Sequence, residues 1–301
     1  WGSKIVVSGF EHPSVQRPIR ALKDRGFEVV EILPEADGHL DVAKLAAEVD
    51  KNTVLVSCMA VNNETGTLQD IAALSTAVKA KNSRCAVHVD AVQAVGKEPI
   101  DLSRTPIDFL ALSGHKLHAP KGVGVLYVRK GTRFRPFLRG GHQERGRRAG
   151  TENVPYIVGL GKACELAGSA MAQERTQVAA LRDKLERGLL AAIPNAIVNG
   201  DVEHRLPNTS SIAFESVEGE AILLMLNEFG ICASSGSACT SGSLEPSHVL
   251  RAMGVPFTYA HGSIRFSLSR YTTEAEIDKV LEVMPGVIKT LREISPFTRR
   301  G

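Results

Sequence analysis

Ser113-Gly114-His115-Lys116 stands between two apolar runs, Phe109-Leu110-Ala111-Leu112 and Val123 to Val128, and sets one amine at the end of a strand-like stretch. Desolvation at a buried strand end lowers a lysine's pKa and frees the neutral amine to act as a Schiff-base nucleophile. Ser113 and His115 offer a hydroxyl and an imidazole to a phosphate, and Gly114 lets the backbone come close. Upstream, Ala86-Val87-His88-Val89 reads as a buried strand ending in Asp90, at the edge where open α/β sheets bind their ligands. A pyridine-based cofactor requires a carboxylate there, because an anion against the ring nitrogen keeps it protonated and able to accept carbanion electrons. Gln93, three residues on, could reach the ring's phenolic oxygen. Each residue has a plainer reading alone, Lys116 as a solvated surface group and Asp90 as a helix cap. Together they point to pyridoxal 5'-phosphate (PLP).

Other chemistry-bearing residues fall at junctions. His12 lies between the strand Lys4-Ile5-Val6-Val7-Ser8 and a helix opened by Pro13, where capping is the plain alternative. Asn63 leaves a strand end on the side of Asp90, or forms an ordinary Asx turn. Arg265, in the strand Ser263-Ile264-Arg265-Phe266-Ser267, has the planar fork that suits a carboxylate, or a structural salt bridge. Cys239 sits among small residues in Ser234 to Ser243, which cannot pack a core, so an exposed nucleophilic thiol is expected there. Cys232, inside Ile231-Cys232-Ala233, is expected to be a buried hydrophobe.

Six stretches carry a resemblance: Asn62-Asn63-Glu64-Thr65-Gly66, His88 to Gln93, Ser113 to Lys116, Gly140 to Gly146, Ala149-Gly150-Thr151, and Ser234-Ser235-Gly236-Ser237-Ala238-Cys239-Thr240. They stand in the order found in PLP-dependent cysteine desulfurases, and nearly the whole chain resembles the nitrogen-fixation and iron–sulfur-cluster branch of that family. The resemblance implies that Lys116 carries PLP, that His12 stacks on the ring and shuttles protons, and that Asp90, Gln93, Ser113, His115 and Asn63 hold the cofactor. It implies that Arg265 and Asn63 bind the substrate carboxylate and that Thr151 serves the PLP phosphate of a neighbouring subunit in a homodimer. L-cysteine is then converted to L-alanine, with a persulfide on Cys239 passed to an iron–sulfur scaffold or other sulfur-acceptor protein in cluster assembly for nitrogenase. Glu64 and Gln69 receive no role. Relatives also carry an N-terminal segment with a Gly-Thr phosphate loop, which this sequence lacks. The rival readings are a selenocysteine lyase or aminotransferase and, given the missing loop, a non-catalytic sulfur-relay scaffold.

The elements that must position these groups alternate. Strands near 28–32 and at Val54 to Ser57 and helices near 41–50 and 70–81 precede the strands to Asp90 and Lys116, the pattern of a mostly parallel sheet covered by helices. Long helical periodicity from Ile157 to Ile193 bridges to a second part, and the last helix falls near 273–294. By resemblance the expected fold is α/β, of the aspartate-aminotransferase-like fold type I. Residues 1–170 form the large PLP-binding domain, and residues 171–301 form a smaller α+β domain with the cysteine loop. The 301 residues carry a net charge of +3 and pI ≈ 8.6, too mild to argue for nucleic acid. The loop from Arg139 to Asn153 is basic but has no interleaved aromatics. No run approaches a membrane span and no signal peptide opens the chain. Five cysteines, odd in number and without a C-x-x-C pair, argue against disulfides and a metal site and for a cytoplasmic protein.

Overall fold

A computed structural model describes residues 2–236 and 245–295. The first sheet holds β1 (Lys4–Ser8), β2 (Glu28–Ile32), β3 (Thr53–Met59), β4 (Ala86–Asp90), β5 (Phe109–Ser113) and β6 (Gly124–Val128), in the order β2-β1-β3-β4-β5-β6. All neighbours pair in parallel except β5 and β6, which run antiparallel. The opening strand β1 is therefore interior, flanked by β2 and β3. Its five residues are all buried, which is why it reads as an unbroken apolar run.

Helices α1 (Pro13–Ala21), α2 (Val42–Ala47) and α3 (Ile71–Lys81) fill the crossovers. Asp41 caps α2 through the N–H groups of Ala43 and Lys44, and Asp70 caps α3 through that of Ala73. Val6, Val56, Cys58, Leu74, Val78, Val87 and Val89 make the core, joined from far along the chain by Leu206, Val249 and Met253. Gly114, at the turn after β5, is required by packing: a Cβ there would lie 2.9 Å from the Val123 side chain and 3.1 Å from its carbonyl oxygen.

After the short turn α4 (Gln143–Gly146), helix α5 (Val154–Gln173) runs through a π turn at Glu174–Val178 into α6 (Ala179–Ala192). Ala163 and Ala167 of α5 pack on Leu117 beside the first sheet, whereas Leu185 and Leu189 of α6 enter a second core with Ile212, Phe214 and Ile264. Gly159, Gly161 and Gly168 do not interrupt the helix. The second sheet, β7 (Ala196–Val198), β8 (Thr209–Phe214), β9 (Ser234–Ser235) and β10 (Ser263–Ser267), has the order β7-β8-β10-β9 and is antiparallel. It is accompanied by α7 (Gly219–Asn227), α8 (His248–Ala252), α9 (Phe257–Ala260) and α10 (Glu274–Ile294), the last opened by a Thr273–Glu276 capping box.

Candidate active site

Parallel pairing of β4 with β5 brings their C-terminal ends side by side, so Asp90 and the Gly114–Leu117 turn that carries Lys116 open onto one crevice. A cavity of about 190 Å³ there is lined by Lys116, His115, Gln93, Asn63 and Arg265, together with Lys97 and Glu174. Arg265 arrives from the middle of β10, between Ser211 of β8 and Ser234 of β9. One guanidinium nitrogen donates to the Asn63 carbonyl, while its Nε is buried without an acceptor.

Asp90 is only 7% exposed, and one of its oxygens accepts the N–H of Val92 at 2.9 Å. The capping reading thus describes half of this carboxylate. His12 likewise caps α1: its Nδ1 accepts the N–H of Ser14 at 3.2 Å and lies 2.7 Å from the Ser14 hydroxyl. A backbone N–H can only donate, so the neutral ring carries its proton on Nε2. Burial pulls the His12 pKa down and Lys116 adds to this, while the Asp90 charge opposes it. His12 is therefore within electrostatic reach of both groups and mostly neutral at pH 7.

Two expectations, the burial of Lys116 and that of Cys232, are corrected. Lys116 is exposed rather than buried at a strand end, because β6 beyond it is an edge strand with Val125 and Leu126 in the open. Ser113 Oγ and His115 Nδ1 lie 2.8 Å apart and bond each other; His115 lines the cavity and Ser113 does not. Cys232 is exposed rather than buried, in a groove with Leu223, Leu224 and Ile231, because its neighbours Ile231 and Ala233 take the face that packs on the second core and leave the residue between them outward. Thr151 is exposed on the loop before α5, away from this chain's cavity. Cys239 lies outside the described residues.

Two carboxyls without an assigned role stand behind the site. Glu11 is wholly buried and accepts from the Ser8 hydroxyl and, at 2.5 Å, from the Met59 N–H; burial, reinforced by the Asp90 charge against these donors, pushes its pKa up to about 7. Glu64 accepts from Ser247 at 2.5 Å; burial pushes it also to about 7, opposed by that hydroxyl and by Arg265. Their one sequence signal is adjacency to His12 and Asn63. Beside the cavity, burial lowers the pKa of Lys97, which Glu174 opposes.

The donor set fits PLP. An amine and a carboxylate on neighbouring strand ends match the cofactor's aldehyde and ring nitrogen, and the orphaned Arg265 Nε is a buried donor awaiting an anionic acceptor. A family model described as Aminotransferase class-V matches residues 1–280, so the architecture is that of a class-V aminotransferase. A cysteine desulfurase of Nostoc sp. is 58% identical over 293 residues, covering 97% of this chain and 73% of that protein. Cysteine desulfurase NifS of Azotobacter vinelandii is 57% identical over 293 residues, with 97% and 72% covered. A solved NifS-like protein superposes with TM-score 0.90 at 39% identity, covering 96% of this chain and 76% of that one. A NifS-like protein from Rickettsia africae gives 0.86 at 31% identity, with 95% and 76% covered. This chain belongs to the cysteine desulfurases of the class-V aminotransferase family, which are PLP-dependent.

Proposed function

We propose that Lys116, Asp90, His12, Gln93, His115, Ser113 and Asn63 hold PLP, that Arg265 and Asn63 seat L-cysteine, and that Cys239 takes its sulfur. When bound, PLP supplies an electron sink that lets the amino acid's Cα–H bond break. The Lys116 amine would hold the cofactor's aldehyde carbon and, when free, would take or return a proton at Nζ. Asp90 fixes negative charge where the ring nitrogen needs it. His12, neutral with Nε2–H, is able to donate and take back a proton at that one atom. Arg265 lines the cavity and offers its guanidinium donors to the substrate carboxylate. The Cys239 thiolate then forms an S–S bond to the substrate sulfur as the Cβ–S bond breaks, giving L-alanine and a protein persulfide.

The convergence of Lys116, Asn63 and Arg265 on one cavity is the observation that carries this reading. The acceptor is a sulfur-carrying or iron–sulfur scaffold protein, and relatives named NifS favour nitrogenase cluster maturation. A homodimer is favoured by the apolar surface of Val125, Leu126, Phe137, Val154, Ile157 and Val158 beside Lys116. A partner seated there would desolvate Lys116 and bring its own copy of Thr151 close to the phosphate. Residues 1–170 and 171–301 are proposed as the two domains.

Borohydride trapping and alanine release test this together. Lys116→Ala loses the reducible cofactor linkage, whereas Cys239→Ser keeps it and still shifts its spectrum on adding L-cysteine, yet makes no alanine. A trapped linkage in Lys116→Ala, or near-normal turnover in Cys239→Ser, rejects the assignment of that residue.

A further inference from the structure

Away from the cavity, three side chains from distant parts of the sequence converge where the β2–α2 connection meets the β7–β8 connection. His39 follows Gly38, whose φ of +83° shapes the turn. Gln69 pins that turn, accepting the Leu40 N–H and donating to the Gly38 carbonyl at 2.8 Å each, which gives Gln69 its role. Asp201 and His204 belong to a segment tied to the first sheet's loops. The Leu68 N–H donates to the His204 carbonyl, the Leu206 N–H to that of Gly66, and the Asp201 N–H to Thr67 Oγ1. Arg205, between them and Leu206, is fixed bidentately by Glu186 at 2.6 and 2.7 Å. The frame is therefore rigid on both sides.

Within it, Asp201 Oδ1 accepts the N–H groups of Glu203 and His204, which turns Oδ2 toward both imidazoles. His39 Nε2 lies 2.8 Å from Oδ2 and His204 Nδ1 lies 3.6 Å from it, and the three ligand atoms all fall within 4.8 Å of one another. The rings meet edge to face with centroids 6.1 Å apart. The His204 side chain is 72% exposed and that of Asp201 17%, so the cup is open to solvent on one side.

We propose that His39 Nε2, Asp201 Oδ2 and His204 Nδ1 bind one divalent transition-metal ion of the zinc type, with water in the fourth position. Two imidazoles and one carboxylate are the ligands such ions take at about 2.0–2.2 Å, with donors about 3.3 Å apart in a tetrahedron. The two spacings to Asp201 Oδ2, 2.8 and 3.6 Å, bracket that value, and the two imidazole nitrogens lie within 4.8 Å of each other, so binding needs the exposed His204 ring to close in. The ion would staple the turn at residues 37–40 to the segment 199–206, without touching the reaction. A third bond from exposed His204 is what distinguishes this cup from the His39–Asp201 hydrogen bond alone.

Chelator-treated, PLP-loaded protein carrying Cys239→Ser, which removes one competing thiol, is titrated with Zn²⁺ by calorimetry and with Co²⁺ by visible absorption. One equivalent per chain is expected, with tetrahedral d–d bands and no sulfur-to-metal charge transfer. His204→Gln and His39→Gln should each weaken it at least tenfold. Both should fold, since His204 is exposed and a side-chain amide in place of the His39 imidazole keeps a donor for Asp201. Zn²⁺ should also raise the melting temperature of the parent and of neither variant. Absence of binding at micromolar metal, or equal binding in either variant, overturns the site and leaves a hydrogen-bonded pair only.

Discussion

The two sheets deliver functional groups to the candidate site in different ways. The parallel sheet presents Asp90 and Lys116 from strand ends, where neighbouring carboxyl termini converge by topology. The antiparallel sheet presents Arg265 from mid-strand, where alternation of faces and pairing register decide which way a side chain points. The first arrangement tolerates loop variation but needs the strand order. The second needs the exact register, since a slip of one residue would turn Arg265 away and Ile264 or Phe266 toward the cavity.

Substitutions can break this contrast. The largest effect is expected from Asp90→Asn, which keeps an oxygen for the Val92 N–H and so keeps the turn, but removes the fixed charge. Turnover should fall about 100-fold or more, the scale for losing one preorganised electrostatic partner, with folding unchanged by circular dichroism. Arg265→Lys keeps the charge and the strand but loses the fork. The KM for L-cysteine should rise about tenfold to a hundredfold, matching about 1.5–3 kcal/mol for a charged hydrogen bond, while cofactor absorbance stays intact. If KM is unmoved, mid-strand presentation does not serve the substrate.

Glu11 sharpens the comparison, since it lies beneath the strand-end groups rather than in the cavity. Its folded pKa of about 7 is above the ordinary 4.5, so the unfolded chain releases this proton first as pH rises. Its contribution is therefore full below about pH 4.5, declines up to about pH 7 and is level above that, a loss on the order of 3 kcal/mol at 1.36 kcal/mol per pH unit. Glu11→Gln should flatten this fall, so urea unfolding at pH 5 and pH 8 should differ less in the variant than in the parent. The smallest effect is expected from Cys232→Ser. An exposed thiol replaced by a hydroxyl should change stability by no more than about 0.5 kcal/mol and leave alanine release as it was.

Most of the first sheet is legible in the sequence, because a parallel strand buried on both faces leaves an unbroken apolar run and the residue after it marks the crevice. Lys116 and Asp90 follow from that logic. Burial of charged groups is harder to read. Nothing in Glu11-His12-Pro13 shows that β3 will cover the first residue, and nothing in Asn62 to Gly66 shows that Ser247 will meet Glu64. Lys116 fails in the opposite sense, because the exposure of β6 depends on what lies beyond an edge strand. Cys232 misleads because Ile231 and Ala233 take the inward face of that short segment and leave the residue between them outside, which three apolar residues in a row do not reveal.

The π turn in the long helix has a consequence for how length changes can be tolerated. From Val154 to Ala192 the helical rod runs about 60 Å at 1.5 Å per residue, with Ala163 and Ala167 facing one core and Leu185 and Leu189 the other. A π turn is one extra residue wound into an α-helix, and each residue rotates all that follows by about 100°. The π turn at 174–178 takes up that extra residue without the rotation, because its wider turn carries five residues through about the angle that four cover in an α-helix. Deleting a single residue there would restore an unbroken α-helix with the leucine face still toward the sheet that carries Arg265, whereas the same deletion elsewhere between Ala167 and Leu185 would turn that face away by about 100°.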